Sequence, residues 1–334
     1  MAAKYRLFVS YAIPMIVALA ICVVVSHQVQ QIALSSSDNT NAFYSFSHGL
    51  SGYEQLRQEW RPRILSNYLA GRLVDAVQAI YHPRDQQAAM AYIPAIWSVI
   101  WLFLTFLLFI VLDRERSLLY VFGIFAGISF AYTPGIGVTR VYPWDLTALF
   151  AFACFVAILK FKLERWLVLF IPIAMLLKET VPLMVVALLF WDKAPIRRRL
   201  VLIGMTLVVS ISLRAVVDLL TANPSLLLTM TVRHGPGPDR YVENIRQLLD
   251  VKANPIVFID SGLLVALLLL PAGDRQVMML KAIGVLLVLG NLFFGTIIEY
   301  RIWFEAIPLA LYAVELCFFT PAAQIVRAEG SPGS

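Results

Sequence analysis

The sequence predicts an all-α polytopic membrane protein of about ten transmembrane segments, on three observations. Hydrophobic residues make up 60% of the 334 and charged residues only 14%. The apolar residues come in uninterrupted runs, several of about 18 to 25, the length that crosses hydrocarbon as a helix. No run alternates apolar and polar residues as a transmembrane barrel strand does.

The first run, 7–26, follows Lys4 and Arg6. It is long enough to span, and the later runs need it as a topological start, so it reads as a retained signal anchor. Residues 27–90 then read as a first outer loop. Within it Ile64, Leu65, Tyr68, Leu69, Leu73, Val77 and Ile80 recur at helical spacing, with Asn67, Arg72, Asp75 and Gln78 opposite. That pattern predicts an amphipathic helix lying in the membrane interface. Pro62 suits its first turn, and Pro83 should follow its end.

Further runs cover 91–112, 118–132, 146–159, 166–177, 183–191, 200–220, 256–270, 277–298 and 302–319. The stretch 166–191 decides the count. Read as one helix, it would put Lys193, Arg197, Arg198 and Arg199 outside, against the tendency of short basic loops to stay cytoplasmic. Two short helices broken at Lys178-Glu179-Thr180-Val181-Pro182 restore agreement, and broken helices are tolerated where the break lines a cavity. A second outer loop, 221–255, holds a turn at Gly235-Pro236-Gly237-Pro238 and a helix-like stretch, 241–249. Residues 1–327 therefore read as one transmembrane domain with both termini in the cytoplasm, and 328–334 as an appended tail.

This layout places a net charge of +7 inside and −1 outside, which together give the +6 of the chain. The inner excess is an ordinary orientation signal, so the pI near 9.3 gives no reason to invoke nucleic acid. The outer charges need another account. Arg140, Asp145, Lys178, Glu179, Arg214, Asp218, Glu299, Arg301 and Glu305 all fall near helix ends. An unpaired charge in hydrocarbon costs roughly 2.5 to 3.5 kcal/mol on insertion scales, so these residues imply a polar chamber opening outward.

Five clusters are candidates for chemistry, each with a plainer alternative. Glu59-Trp60-Arg61-Pro62-Arg63 sets two guanidiniums ahead of the interfacial helix, a disposition suited to a lipid phosphate or to simple snorkelling. Arg140 to Asp145 is either a chamber rim or an aromatic belt with Asp145 as a helix cap. Lys178-Glu179-Thr180 marks a cavity-lining break or a private ion pair. Glu299-Tyr300-Arg301 with Glu305 is either part of the chamber or an i, i+4 pair between Arg301 and Glu305. Arg233-His234, followed by Arg240, is a substrate contact or a solvated loop. Asp38, in a polar stretch, suits a general base or a flexible loop.

Nucleotide-binding, serine-hydrolase and zinc-protease signatures are absent, and four histidines offer no metal spacing. Cys22, Cys154 and Cys317 fall inside apolar runs as packing residues.

A first helix leading to a long outer loop, the segment Tyr142-Pro143-Trp144-Asp145-Leu146, the break at Lys178-Glu179-Thr180 and the late Glu299-Tyr300-Arg301 together resemble the GT-C superfamily of integral-membrane glycosyltransferases. The resemblance covers most of the chain in layout, through short motifs. It implies a sugar donor carried on a polyprenyl phosphate in a bacterial inner or plasma membrane, with a glycan, lipid or protein acceptor approaching from the extracytoplasmic face. It further implies that Asp38 or Glu59 is the base, that Arg61, Arg63, Arg140, Lys178 and Arg301 hold the lipid phosphate, and that Asp145, Glu179, Arg233, His234 and Glu305 complete the substrate site. No cofactor is assigned, and a divalent cation is compatible with the reaction. The alternatives are a lipid-linked-saccharide flippase or transporter, which should show pseudo-symmetric halves, and a non-catalytic subunit of a membrane glycan-assembly complex.

Overall fold

The structure is a computed structural model that describes residues 2–35, 41–44, 46–47, 63–80, 86–129, 132, 141–178, 180–191, 194–220, 242, 244–246, 249, 262–294 and 303–319, with backbone alone at 2–10, 41–42, 86–90, 218, 220 and 291–294. Among the described residues every regular element is helical and there is no strand. The α-helices are α1 (Ala2–Ser35), α2 (Asn41–Tyr44), α3 (Ile64–Ile80), α4 (Gln86–Leu112), α5 (Ser117–Ser129), α6 (Pro143–Lys160), α7 (Leu167–Met175), α8 (Ile196–Leu220), α9 (Gly262–Leu269), α10 (Arg275–Phe294) and α11 (Ala306–Phe318). A 3-10 helix, Val181–Phe190, lies between α7 and α8.

Each of the ten apolar runs overlaps one of these helices. Four stretches are long and apolar enough to cross a membrane by length and composition: Tyr11–Ser35, Ala91–Leu112, Pro143–Lys160 and Ile196–Val217. They fit a membrane protein. The break predicted within 166–191 is present: α7 ends at Met175, and the chain turns before the 3-10 helix opens at Val181.

The core is built around α6, of whose residues 78% are buried. Apolar on every face, such a helix belongs at the centre of a bundle. Around it lie α3, α4, α7, α11 and the 3-10 helix. Outside these, α1 runs along α4 and buries Ala18, Ile21, Cys22, Val25, Val29 and Ile32, spaced three and four apart, while Ile13, Ile16, Leu19, Val23 and Val24 face outward. The periphery is clearest at α8, where only 17% of the spanning window is buried. An apolar surface with no protein against it is what lipid covers.

Two sequence readings are corrected. The first helix does not stop with its apolar run at 26, because α1 continues to Ser35, and α4 starts at Gln86 rather than 91. Gln28, Gln30 and Gln31 look like loop residues, yet they are good helix formers, and Val29 and Ile32 between them stay on the buried stripe.

The second correction concerns α3. It forms over the predicted range, but its protein-facing side is Ser66, Asn67, Ala70, Gly71 and Val74, including an asparagine assigned to the polar face. Small residues let the backbone come close: a Cβ on Gly71 would sit 2.5 Å from the Phe46 carbonyl carbon. The larger apolar side chains are left partly uncovered, Tyr68 and Ile80 being exposed. A comparable device joins α5 to α11, where Gly123 and Gly127, one turn apart, face Leu311 and Ile307.

Candidate functional site

The site lies at the bundle end where α6 and α11 begin and α7 stops. The first turn of α6 carries Pro143 in a favoured early position, and the Pro143 carbonyl accepts from Trp97 Nε1 (2.9 Å). The start of α3 docks here. Its Leu65 amide donates to the Leu176 carbonyl (3.0 Å), and Ser66 Oγ donates to the Leu177 carbonyl (2.9 Å) while lying 2.7 Å from Thr147 Oγ1. The opened backbone after α7 is thus satisfied by a neighbouring helix, which a break buried among apolar helices requires.

Beyond those bonds, Lys178 heads a turn closed by the Val181 amide on its carbonyl (3.3 Å). Its Nζ reaches the Glu305 carboxylate at the start of α11, 2.6 Å away. Both side chains are nearly inaccessible, 7% exposed for Lys178 and 1% for Glu305. Removing two ions from water costs several kcal/mol each, which their mutual attraction at most offsets, so burial at this depth is poorly explained by stability alone.

Asp145, in the first turn of α6, is buried as well. Nearby, the Arg63 guanidinium lies 4.4 Å from the Trp144 ring centroid, and Trp144 stacks on Tyr142 at 4.6 Å with planes 10° apart. Phe46 and Ile64 pack against these two rings.

The structure therefore brings Arg63, Asp145, Lys178 and Glu305 to one end of the bundle. Glu305 sits where α11 faces the break and pairs with Lys178 across the fold. The N-cap residue of α6, Tyr142, makes no side-chain cap bond, and Asp145 lies inside the first turn, where a carboxylate meets the positive end of the helix dipole. Asp38, Glu59, Arg61, Arg140, Glu179, Arg233, His234 and Arg301 lie outside the described residues. In the second loop, Val242, Asn244, Ile245, Arg246 and Leu249 are helical, as the spacing of 241–249 predicts.

Sequence reasoning missed a second charged cluster at the opposite end, where α4, α6 and α11 finish. Glu315, buried near the end of α11, accepts from Lys160 Nζ (2.7 Å), Arg116 Nη1 (2.5 Å) and the Tyr120 hydroxyl (2.6 Å). Lys160 also bonds Asp113, and Arg116 Nη2 donates to the Phe319 carbonyl (2.9 Å). Burial would lower the Arg116 pKa, but the bond it donates to Glu315 and the charge of that carboxylate, helped by Asp113 and Glu115, raise it above its ordinary value. The available signal was Glu315 itself, a lone acid inside the last apolar run.

Two other basic residues, Arg199 of a predicted inner loop and Lys281 within α10, serve helix ends. Arg199 donates to the Ala194 carbonyl (2.6 Å) and the Leu189 carbonyl (2.8 Å), and Lys281 to that of Leu270. Cations suit such carbonyl-rich ends.

Among the described residues no group of three His, Cys, Asp or Glu side chains could hold a metal. The fold and the site define a helical bundle that fits a membrane, with a buried lysine–glutamate pair at a helix break. No protein-family model matches the chain, and comparison with curated proteins and with solved structures likewise gives no match.

Proposed function

We propose that this protein is a membrane glycosyltransferase that moves a sugar from a polyprenyl-phosphate donor to an acceptor on the extracytoplasmic face. The observation that carries this reading is the buried Lys178–Glu305 pair. It joins two charged segments far apart in sequence, at the same end as Asp145 and Arg63, where a chamber for an anionic headgroup would need them.

On this reading Lys178 and Arg63 face the lipid phosphate, whose negative charge grows as the sugar leaves, and preorganised cations stabilise that change. Asp38 or Glu59 takes the proton from the acceptor hydroxyl. About ten segments span the bilayer, both termini are cytoplasmic, and α3 lies along the outer interface with the exposed Tyr68 and Ile80 toward lipid.

The test is transfer by the purified protein from polyprenyl-phosphate sugars, scored as loss of donor and appearance of a new glycan. One of the isosteric changes Glu59→Gln and Asp38→Asn should lower turnover by roughly 10² to 10⁴ with donor binding intact. Parent protein that transfers nothing from any such donor overturns the proposal.

A further inference from the structure

The geometry points to Lys178 and Glu305 as an exchangeable pair, in which the phosphate of a lipid-linked ligand replaces the Glu305 carboxylate as the counter-ion of Lys178 and takes hydrogen bonds from Thr180 and Trp303. This inference rests on the lipid-phosphate reading above and deepens it.

Three features carry it. The pair is almost wholly buried, yet it pins the chain at a break in the helical ladder, where a well-packed apolar pair would serve stability at least as well. Two buried donors accompany it. Thr180 Oγ1 belongs to the turn that Lys178 heads, and Trp303 Nε1 lies two residues ahead of Glu305; neither has a hydrogen-bond partner among the described residues. A buried donor left without a partner costs about 1 to 3 kcal/mol, so two of them, each two residues along the chain from a member of the ion pair, call for an acceptor not supplied by those residues.

The chemistry of the set selects the ligand. An ammonium, a hydroxyl and an indole N–H all donate to an anionic oxygen, and a phosphate has several oxygens to receive them. In the unliganded protein Glu305 supplies the anion that Lys178 needs at this depth. An arriving phosphate provides the same charge and, in addition, acceptors for Thr180 and Trp303. Glu305 is then the internal competitor of the ligand rather than one of its contacts.

This assignment predicts an unusual sign. Glu305→Gln removes the competitor and leaves Lys178 short of an anion, so the ligand regains what the substitution cost. The experiment is equilibrium binding of farnesyl phosphate to the purified, detergent-solubilised full chain, with farnesol and inorganic phosphate as parallel ligands. Glu305→Gln should tighten farnesyl phosphate about tenfold. Thr180→Val and Trp303→Phe, changes small enough to fold, should each weaken it about tenfold. Inorganic phosphate bound as tightly as farnesyl phosphate assigns the site to the free ion, and a preference for farnesyl phosphate assigns it to a lipid headgroup; both keep the exchange.

A parent that binds farnesyl phosphate, with Glu305→Gln binding unchanged or weaker, overturns the exchange and leaves the lipid-phosphate reading standing. Should Glu305→Gln not fold, unchanged affinity in both Thr180→Val and Trp303→Phe overturns it equally. A parent that binds neither phosphate overturns both.

Discussion

Glu315 shows how much a single residue settles in this chain. Three donors, Lys160, Arg116 and Tyr120, converge on its two oxygens from three different segments. Removing one partner from a buried pair leaves the other charge uncompensated, at about 3 to 5 kcal/mol. Glu315→Gln keeps the shape and removes the charge, so it should destabilise the protein by about 3 kcal/mol, read as a lowered midpoint in thermal unfolding in detergent. Met in place of both Lys160 and Glu315 should recover part of that loss, because the two least exposed charges go together and those that remain, Asp113 and Arg116, are the more exposed members of the cluster. At this scale the sequence was half legible. A single acid in an apolar run announces a partner, but nothing local identifies it, since Asp113, Lys160 and Glu315 meet only through the packing of α4, α6 and α11. The same holds for Glu305, for which the local pattern names Arg301 and gives no hint of Lys178, the lysine it meets across the fold.

Among the elements, α6 carries a feature with a measurable cost. Its C-terminus closes as a Schellman motif, the Leu163 amide bonding the Ile158 carbonyl (2.9 Å) and the Lys162 amide that of Leu159 (3.0 Å). The residue at the left-handed position is Lys162, with φ of 55°, where glycine is the usual occupant. A side chain in that conformation costs about 1 to 2 kcal/mol relative to glycine, part of which glycine loses again through its freer unfolded chain. Lys162→Gly should therefore stabilise the protein by about 0.5 to 1 kcal/mol, measured as a raised unfolding midpoint. Unchanged stability would show that the Lys162 side chain contributes something that offsets the strain. The existence of the helices was readable because apolar run length is a strong signal. Their ends were not: glutamines disguised the last turns of α1, and the buried face of α3 is centred on small residues around Gly71, with Leu69, Leu73 and Val77 packed at its margin, which a rule that puts large apolar residues inside reads only in part.

For the whole molecule, the break after α7 governs the layout. If α7 and the 3-10 helix each return toward the side they came from, residues 178–182 and Gly235 face outward together and Arg197 to Arg199 face the cytoplasm. Cysteine accessibility in intact cells decides this: position 180 should label from outside and position 198 should not. Labelling of position 198 from outside would remove the ten-segment layout and the outward chamber with it. The arginines are also structural, since Arg199 holds the carbonyls of Leu189 and Ala194. Reversing their charge to probe orientation would therefore disturb the end of the 3-10 helix as well.

The Lys178–Glu305 pair also bears on how the chain is made. Lys178 emerges from the ribosome long before α11 exists, so on the proposed ten-segment layout its ammonium enters the membrane during synthesis without the carboxylate that later neutralises it. A lone lysine at that depth costs about 2.5 to 3.5 kcal/mol on insertion scales. The segment around the break should therefore be held loosely at the translocon, or still in contact with water, until Glu305 arrives. Ribosome-bound chains that stop short of α11 should expose that lysine, and those that include Glu305 should hide it. The pair would then mark the moment at which insertion of this protein becomes irreversible.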